Sequence, residues 1–148
     1  GCYVKDEANN WAAFAEIASC PATLEASKFA DAYGLMHGNT ISCADGESAY
    51  TQAKLGGTPT WIRLPKERWS PEWHARYKDP VCPLILALYG HPDSGGFWEQ
   101  HCERSIKTVG FKVIPYDCWK SVFWQEALRL LLVIYVDDFK LVGPTKNI

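Results

Sequence analysis

Seven consecutive apolar or aromatic residues, Leu130 to Val136, run straight into two adjacent carboxylates, Asp137 and Asp138, and the apolar pattern resumes at Phe139-Lys140-Leu141-Val142-Gly143. A run of this kind, broken by two polar residues and then continued, predicts a buried strand, a tight turn and a returning strand. Asp tolerates turn conformations and suits the tip of such a hairpin. Two like charges at the end of a hydrophobic strand are nevertheless costly unless something positive joins them. A hard divalent cation such as Mg²⁺, which takes oxygen ligands, meets that need. Asp pairs in hairpin turns are also commonly just solvated, so a third carboxylate from another strand end is the better sign. Ile41-Ser42-Cys43-Ala44-Asp45 is a short run that ends in one, followed by Gly46-Glu47-Ser48-Ala49-Tyr50.

Tyr135-Val136-Asp137-Asp138 resembles the YxDD motif of reverse transcriptases, and Asp45 with Ala49-Tyr50 resembles their D-x-x-x-A-[FY] motif. Ala87-Leu88-Tyr89-Gly90, with Trp98 beyond it, is similar to the "LYG…W" segment of copia-type retrotransposon polymerases. Thr60-Trp61-Ile62-Arg63-Leu64-Pro65 and Val81-Cys82-Pro83-Leu84 sit where that family has its "Y-x-x-x-P" and "V-C-x-L" segments. The landmarks keep the family's order and span about residues 21–147. One departure is plain: His91-Pro92-Asp93-Ser94-Gly95-Gly96 stands where the family usually reads "L-K-Q-S-P-R", which removes basic and amide groups from that loop.

At 148 residues and 47% hydrophobic, the chain is long and apolar enough for one domain with its own core. No stretch approaches the roughly 20 apolar residues a membrane helix requires, so no membrane partner is expected. The chain begins at Gly1 and has no signal-peptide pattern. It reads as an internal piece of a longer polyprotein, intracellular and not secreted. Six scattered cysteines without a C-x-x-C pair read as reduced thiols. A zinc site from Cys82, His91, His101 and Cys102 matches no standard ligand spacing. The net charge of −2 is unusual for a nucleic-acid enzyme, whose binding rests on Lys and Arg. Local enrichment occurs only at Arg63, Lys66, Arg68, Arg76 and Lys78, interleaved with Trp61, Trp69, Trp73 and Tyr77. That segment is either a phosphate-tracking, base-stacking surface or an ordinary solvated loop.

Periodicity and punctuation predict the element order. Trp11 to Ile17 reads as a short amphipathic piece, and a helix follows from Pro21 to about His37. A strand over Ile41–Asp45 leads to a short helix or turn over Ser48–Lys54, and a strand covers Thr60–Leu64. Pro65 to Pro80 is a long loop with a helical turn, and Pro83 to Tyr89 an apolar strand candidate. A helix from Phe97 to Thr108 has Trp98, Cys102, Ser105 and Ile106 as its inner stripe. Strands over Phe111–Ile114 and Ser121–Trp124 precede the acidic hairpin. This order predicts an α+β domain, an antiparallel sheet backed by helices in two layers. The family resemblance implies more: a ferredoxin-like palm sheet with part of the fingers, 1–40 and 56–80 fingers-like and 41–55 with 81–148 palm.

The resemblance also implies a chemistry, RNA-directed DNA synthesis from deoxynucleotides on a primed RNA or DNA template. In the two-metal scheme such enzymes use, carboxylates bridge a pair of Mg²⁺ ions (Mn²⁺ is admissible) that flank the attacking and leaving oxygens. Asp45 and Asp137 would hold both ions, Asp138 would complete the cluster, and the Gly46 carbonyl is an additional ligand candidate. Tyr50 would lie beneath the incoming sugar and exclude a 2′-hydroxyl; its plainer reading is a core Tyr opening a helix. Tyr89 and Gly90 would lie under the templating pair, Gly90 admitting close backbone approach, with Tyr135 and Val136 beside the nucleotide. Glu47, Asp31 and Asp117 read as structural or solvent-facing. The family places a basic fingers segment before this region and a thumb and ribonuclease H after it, so the fragment alone is expected to be inactive. The alternatives are a noncatalytic remnant that folds or binds nucleic acid, another palm-type nucleotidyl transferase such as a cyclase, and an unrelated metal-binding module.

Overall fold

Strand β6 (Leu130–Tyr135) is buried from Leu130 through Ile134, and this sets the architecture, because a strand apolar on both faces needs cover on both. The computed structural model describes residues 4–6, 8–12, 19–117 and 119–148. β6 pairs with β5 (Val122–Gln125) on one side and β7 (Asp138–Pro144) on the other. β1 (Asn39–Asp45) joins β7, and the short β4 (Lys112–Val113) joins β5. The result is a five-stranded antiparallel sheet in the order β1-β7-β6-β5-β4.

One face of that sheet presents Val122, Leu131, Val133 and Val142 to α1 (Leu24–Gly34). Ala26 and Ala30, one turn apart and buried, let this helix approach closely. The opposite face presents Phe123, Leu132 and Ile134 to Trp98, Cys102 and Ile106 of α4 (Ser94–Thr108), with α2 (Ala49–Gln52) alongside. The domain is α+β as expected. Helices cover both faces, however, where a single helical layer behind a ferredoxin-like sheet was predicted. The alternation of β5 and β6, apolar at even and odd positions alike, is the physical reason.

Helix α1 is shorter than the Pro21–His37 span predicted for it. The Thr23 hydroxyl accepts from the Ala26 N–H at 3.3 Å and caps it. The Ala22 N–H instead donates to the Ile134 carbonyl at 3.0 Å, so the chain before the cap lies against β6. Hydrogen bonds from its own backbone and from Thr23 hold the Glu25 carboxyl below the usual carboxylate range. Helix α4 starts three residues before the predicted Phe97, and its stripe is Trp98, Cys102 and Ile106. Ser105 is exposed, its hydroxyl donating to the His101 carbonyl at 3.0 Å. Burial and the Glu99 carboxylate push the Cys102 thiol up to about 11, so it packs as a neutral side chain.

The apolar segment from Pro83 to Tyr89 is not a core strand. Among the described residues, β3 (Val81–Pro83) pairs with β2 (Trp61–Arg63) alone, in a separate two-stranded ribbon. Beyond it, Ile85 is 65% exposed and an isolated bridge, Lys54 to Leu86, is the remaining ladder contact. One further bond, from the Leu84 N–H to the Thr60 carbonyl at 2.8 Å, continues the pairing past Pro83. The predicted loop between the ribbon strands contains a 3₁₀ turn (Lys66–Arg68) and α3 (Pro71–Arg76). The predicted Trp11–Ile17 piece lies largely outside the described residues. Among the described residues, no helix is long and apolar enough to cross a membrane.

Candidate active site

The acids gather at one end of the sheet because of strand register. In the β1–β7 pairing Asp45 is the cross-strand partner of Asp138, and cross-strand partners share a face. Asp137 belongs to the two-residue connection between Tyr135 and Asp138, themselves partners in the β6–β7 ladder. Its other member, Val136, has φ +58°. A positive φ at the first connecting residue alone matches the II′ type of hairpin turn, normally given to Gly. For a β-branched residue it is a strained conformation, costing on the order of 1–3 kcal/mol.

Among the described residues, two hydrogen bonds from outside the hairpin hold this turn. The Trp98 indole N–H donates to the Val136 carbonyl at 2.7 Å, and the Gly46 N–H donates to the Asp137 carbonyl at 2.6 Å. Gly46 has little room for a side chain: a Cβ there would lie 3.1 Å from the Phe139 ring and 3.2 Å from the Asp137 carbonyl. Its backbone therefore couples the end of β1 to the tip of the hairpin.

Two of the three acids share a groove. Asp45 and Asp138 line a groove of about 650 Å³ on the α1 face, together with Tyr135, Cys43, Thr23 and Lys140. Asp137 is not among the residues that line this groove. Tyr50 packs at the edge of the α4-side core, and its phenol is pushed up by burial first, then by Tyr89 and by the charge of Asp137. The phenol thus stays protonated at neutral pH, and its ring lies 4.4 Å from that of Tyr89, tilted by 30°. Tyr89 is half exposed, and Gly90 turns the chain after it with φ +92°.

Among the described residues none of the three acids has an ion-pair partner. Lys140, the nearest cation along β7, is held by Asp31 at 2.9 Å and by the Ser27 hydroxyl at 2.8 Å. Asp31 is therefore structural, while Glu47 and Asp117 are exposed. The donor set, three carboxylates and nearby backbone carbonyls, has the chemistry a hard cation prefers. No group of three His, Cys, Asp or Glu side chains among the described residues is assembled into a metal-holding cluster. That includes the Cys82, His91, His101 and Cys102 set: His101 stacks on Trp98 at 5.9 Å.

Opposed like charges in adjacent strands destabilise a sheet. Asp138→Asn is thus expected to raise the thermal unfolding midpoint in chelator by about 1–3 °C. Mg²⁺ should raise the midpoint of the wild type and less so that of the variant. A midpoint lowered by the substitution would show that the two carboxylates do not repel.

Two features of the site have weak sequence signals. The motif spacing marks Trp98 but not its bond to Val136. Asp93, at the N-terminus of α4, is buried with one carboxylate oxygen lacking a hydrogen-bond partner, while its N–H donates to His91 Nδ1 at 3.2 Å. The positive end of the helix dipole favours an acid there. No protein-family model matches the chain, and no curated protein or solved structure is found to be similar to it.

Proposed function

We propose that this chain is the palm portion, with part of the fingers, of a copia-type reverse transcriptase that adds deoxynucleotides to a primer 3′-hydroxyl on an RNA or DNA template. What supports this reading is the register that sets Asp45 opposite Asp138 at the sheet end where Asp137 occupies the turn, with no ion pair to any of the three among the described residues. Asp45 and Asp138, with Asp137 at the turn, would hold divalent cations; bound Mg²⁺ supplies charge neutralisation for phosphoryl transfer. The protein's own part is positioning. Trp98 and Gly46 fix the turn that carries Asp137, and the β1–β7 register fixes Asp45 against Asp138.

Tyr50 has the role of sugar gate in this reading, with its ring braced by Tyr89. The experiment is primer extension on a primed RNA template with Mg²⁺, carried out on the chain within its parent polypeptide. Wild type is expected to extend with deoxynucleotides. Tyr50→Val is expected to lower discrimination against ribonucleotides on the order of 10²-fold, whereas Tyr50→Phe, which keeps the ring, retains it. Unchanged selectivity in the Val variant removes the gate.

A second reading, a remnant that folds without synthesis, draws on a groove that holds Asp45 and Asp138 without Asp137 and on the lack, among the described residues, of an assembled group of three metal-ligating side chains. Extension by the wild type decides between the two.

A further inference from the structure

We propose that the free edge of β1 pairs antiparallel with β1 of a second copy of this chain, joining two sheets across a two-fold axis. β1 lies at the end of the sheet order, and β7 is its one strand neighbour among the described residues. Hydrogen bonding fixes which of its backbone groups are used. The Gly46 N–H donates to the Asp137 carbonyl and the Thr145 N–H to the Gly38 carbonyl, at 2.6 and 3.0 Å. Bonded and non-bonded pairs alternate along an antiparallel ladder. From either end the alternation agrees: Thr40, Ser42 and Ala44 bond β7, while the N–H and C=O groups of Ile41, Cys43 and Asp45 point away from it. Asn39 belongs to the outward set too, but its N–H donates to the Met36 carbonyl at 3.0 Å, which leaves its carbonyl for the edge.

A row of unpaired N–H and C=O groups is a template for another strand, and proteins commonly blunt it with Lys, Pro, a bulge or a cover. Among the described residues β1 has none of these. Its sequence is Asn39-Thr40-Ile41-Ser42-Cys43-Ala44-Asp45, its register with β7 runs unbroken, and Ile41 through Asp45 are all exposed. Apolar surface borders the edge. Ile41 lies against Gly34 at the end of α1, and the two residues after that glycine, Leu35 and Met36, are 85% and 59% exposed. The alternating donors and acceptors match an extended polypeptide, which bonds through its own main chain.

The strand's own sequence selects the partner. Bonding across the new interface needs outward residues opposite outward residues, and two antiparallel self-registers use the edge most fully. One sets Cys43 opposite its own copy and Ile41 opposite Asp45, which presses a carboxylate against an apolar side chain. The other sets Ile41 opposite Cys43 and Asn39 opposite Asp45, with Ser42 on the axis. In this register the charges are complementary. The Asn39 amide donates one N–H to the Tyr33 carbonyl at 2.9 Å and has a second to offer the carboxylate. The two Asp45 side chains go to opposite ends of the paired strands, so no like charges face each other. This second register is the one assigned. Isologous pairing of this kind closes as a dimer, and it gives Asp45 an outer neighbour beside the groove it lines.

The test is sedimentation velocity of the 148-residue chain in chelator and reductant, from about 1 µM to about 1 mM, the range of small, transient interfaces. Wild type is expected to pass from monomer to dimer across that range. Cys43→Pro removes an outward N–H and no bond to β7, a place where an edge strand tolerates Pro. It should raise the dimer dissociation constant about tenfold or more, since the bond is lost in both copies, with circular dichroism unchanged. Cross-linking reads the register. In a chain carrying Ser42→Cys and Cys43→Ser, the paired strands set the two Cα atoms at position 42 about 4.5 Å apart, within disulfide range. Mild oxidation should then link position 42 to position 42 in peptide maps, whereas wild type should not link through Cys43. This cross-link decides by itself should Cys43→Pro fail to fold. A chain monomeric throughout, dimerisation indifferent to Cys43→Pro in a folded variant, linkage through Cys43, or a foreign strand captured by a chain that stays monomeric overturns the proposal. No nucleotide or metal enters these measurements, so they can fail while primer extension succeeds, and the reverse.

Discussion

Asp137→Asn is expected to abolish primer extension by the parent polypeptide, a loss on the order of 10³-fold or more, because charge neutralisation by bound metal accounts for several kcal/mol of phosphoryl-transfer catalysis. The substitution is a clean one for this site. Asn keeps the shape of Asp and tolerates turns. The hydrogen bond that holds the turn at this residue is made by the Asp137 backbone carbonyl, to the Gly46 N–H, and survives the change. Folding should therefore be preserved while the charge is lost. A second readout is independent of activity: Asp137 contributes to the raised pKa of Tyr50, after burial and Tyr89, so the variant's Tyr50 should titrate slightly nearer the ordinary range. Extension retained at wild-type rate by Asp137→Asn would remove this residue from the chemistry, whatever Asp45 and Asp138 do.

The acidic hairpin was legible in the sequence, though one residue off, since the turn is Val136–Asp137 and Asp138, expected at its tip, opens β7. A strand such as Leu130–Tyr135 is apolar at every position, and the only residues that interrupt it are the two that form its turn and restart. The inner stripe of α4 was legible too, since Trp98, Cys102 and Ile106 recur at a helical interval. Ser105 was misplaced on that stripe because a small polar residue at its margin can turn outward and bond its own helix, as its hydroxyl does. The segment from Pro83 to Tyr89 was misread because a short apolar run has no periodicity to separate a core strand from an exposed connection. Its exposure depends on β3 pairing with β2 and not with the main sheet. Register was the deeper gap. Asp45 opposes Asp138, with Asp137 left in the turn, and that follows from the β1–β7 pairing between segments far apart in the chain. Nothing in a local window marks that offset, and a one-residue slip would exchange the faces. Likewise a Val at positive φ has no local sequence signal; the residues that hold it there are remote.

Those remote contacts lead to the largest expected stability effect in the domain. Trp98→Ala is expected to cost about 3–5 kcal/mol, because it empties a site in which the side chain is 5% exposed and packs against the α4-side core. Trp98→Phe separates packing from hydrogen bonding. Most of the buried ring remains, but the indole N–H that meets the Val136 carbonyl at 2.7 Å is gone, at a cost of about 1–2 kcal/mol. The strain at Val136 persists only while the surroundings over-determine it. Releasing one of the two clamps should let the turn relax toward an ordinary φ and move the carboxylate of Asp137 with it. The expected pattern is therefore a modest fall in the denaturation midpoint of Trp98→Phe with a disproportionate fall in primer extension. Val136→Gly distinguishes this mechanism from general loosening. Gly adopts the positive φ without strain, so a double-mutant cycle between the two positions should show coupling of about 0.5 kcal/mol or more. Additive effects of the two substitutions would mean that Trp98 supports the core and leaves the turn to Gly46.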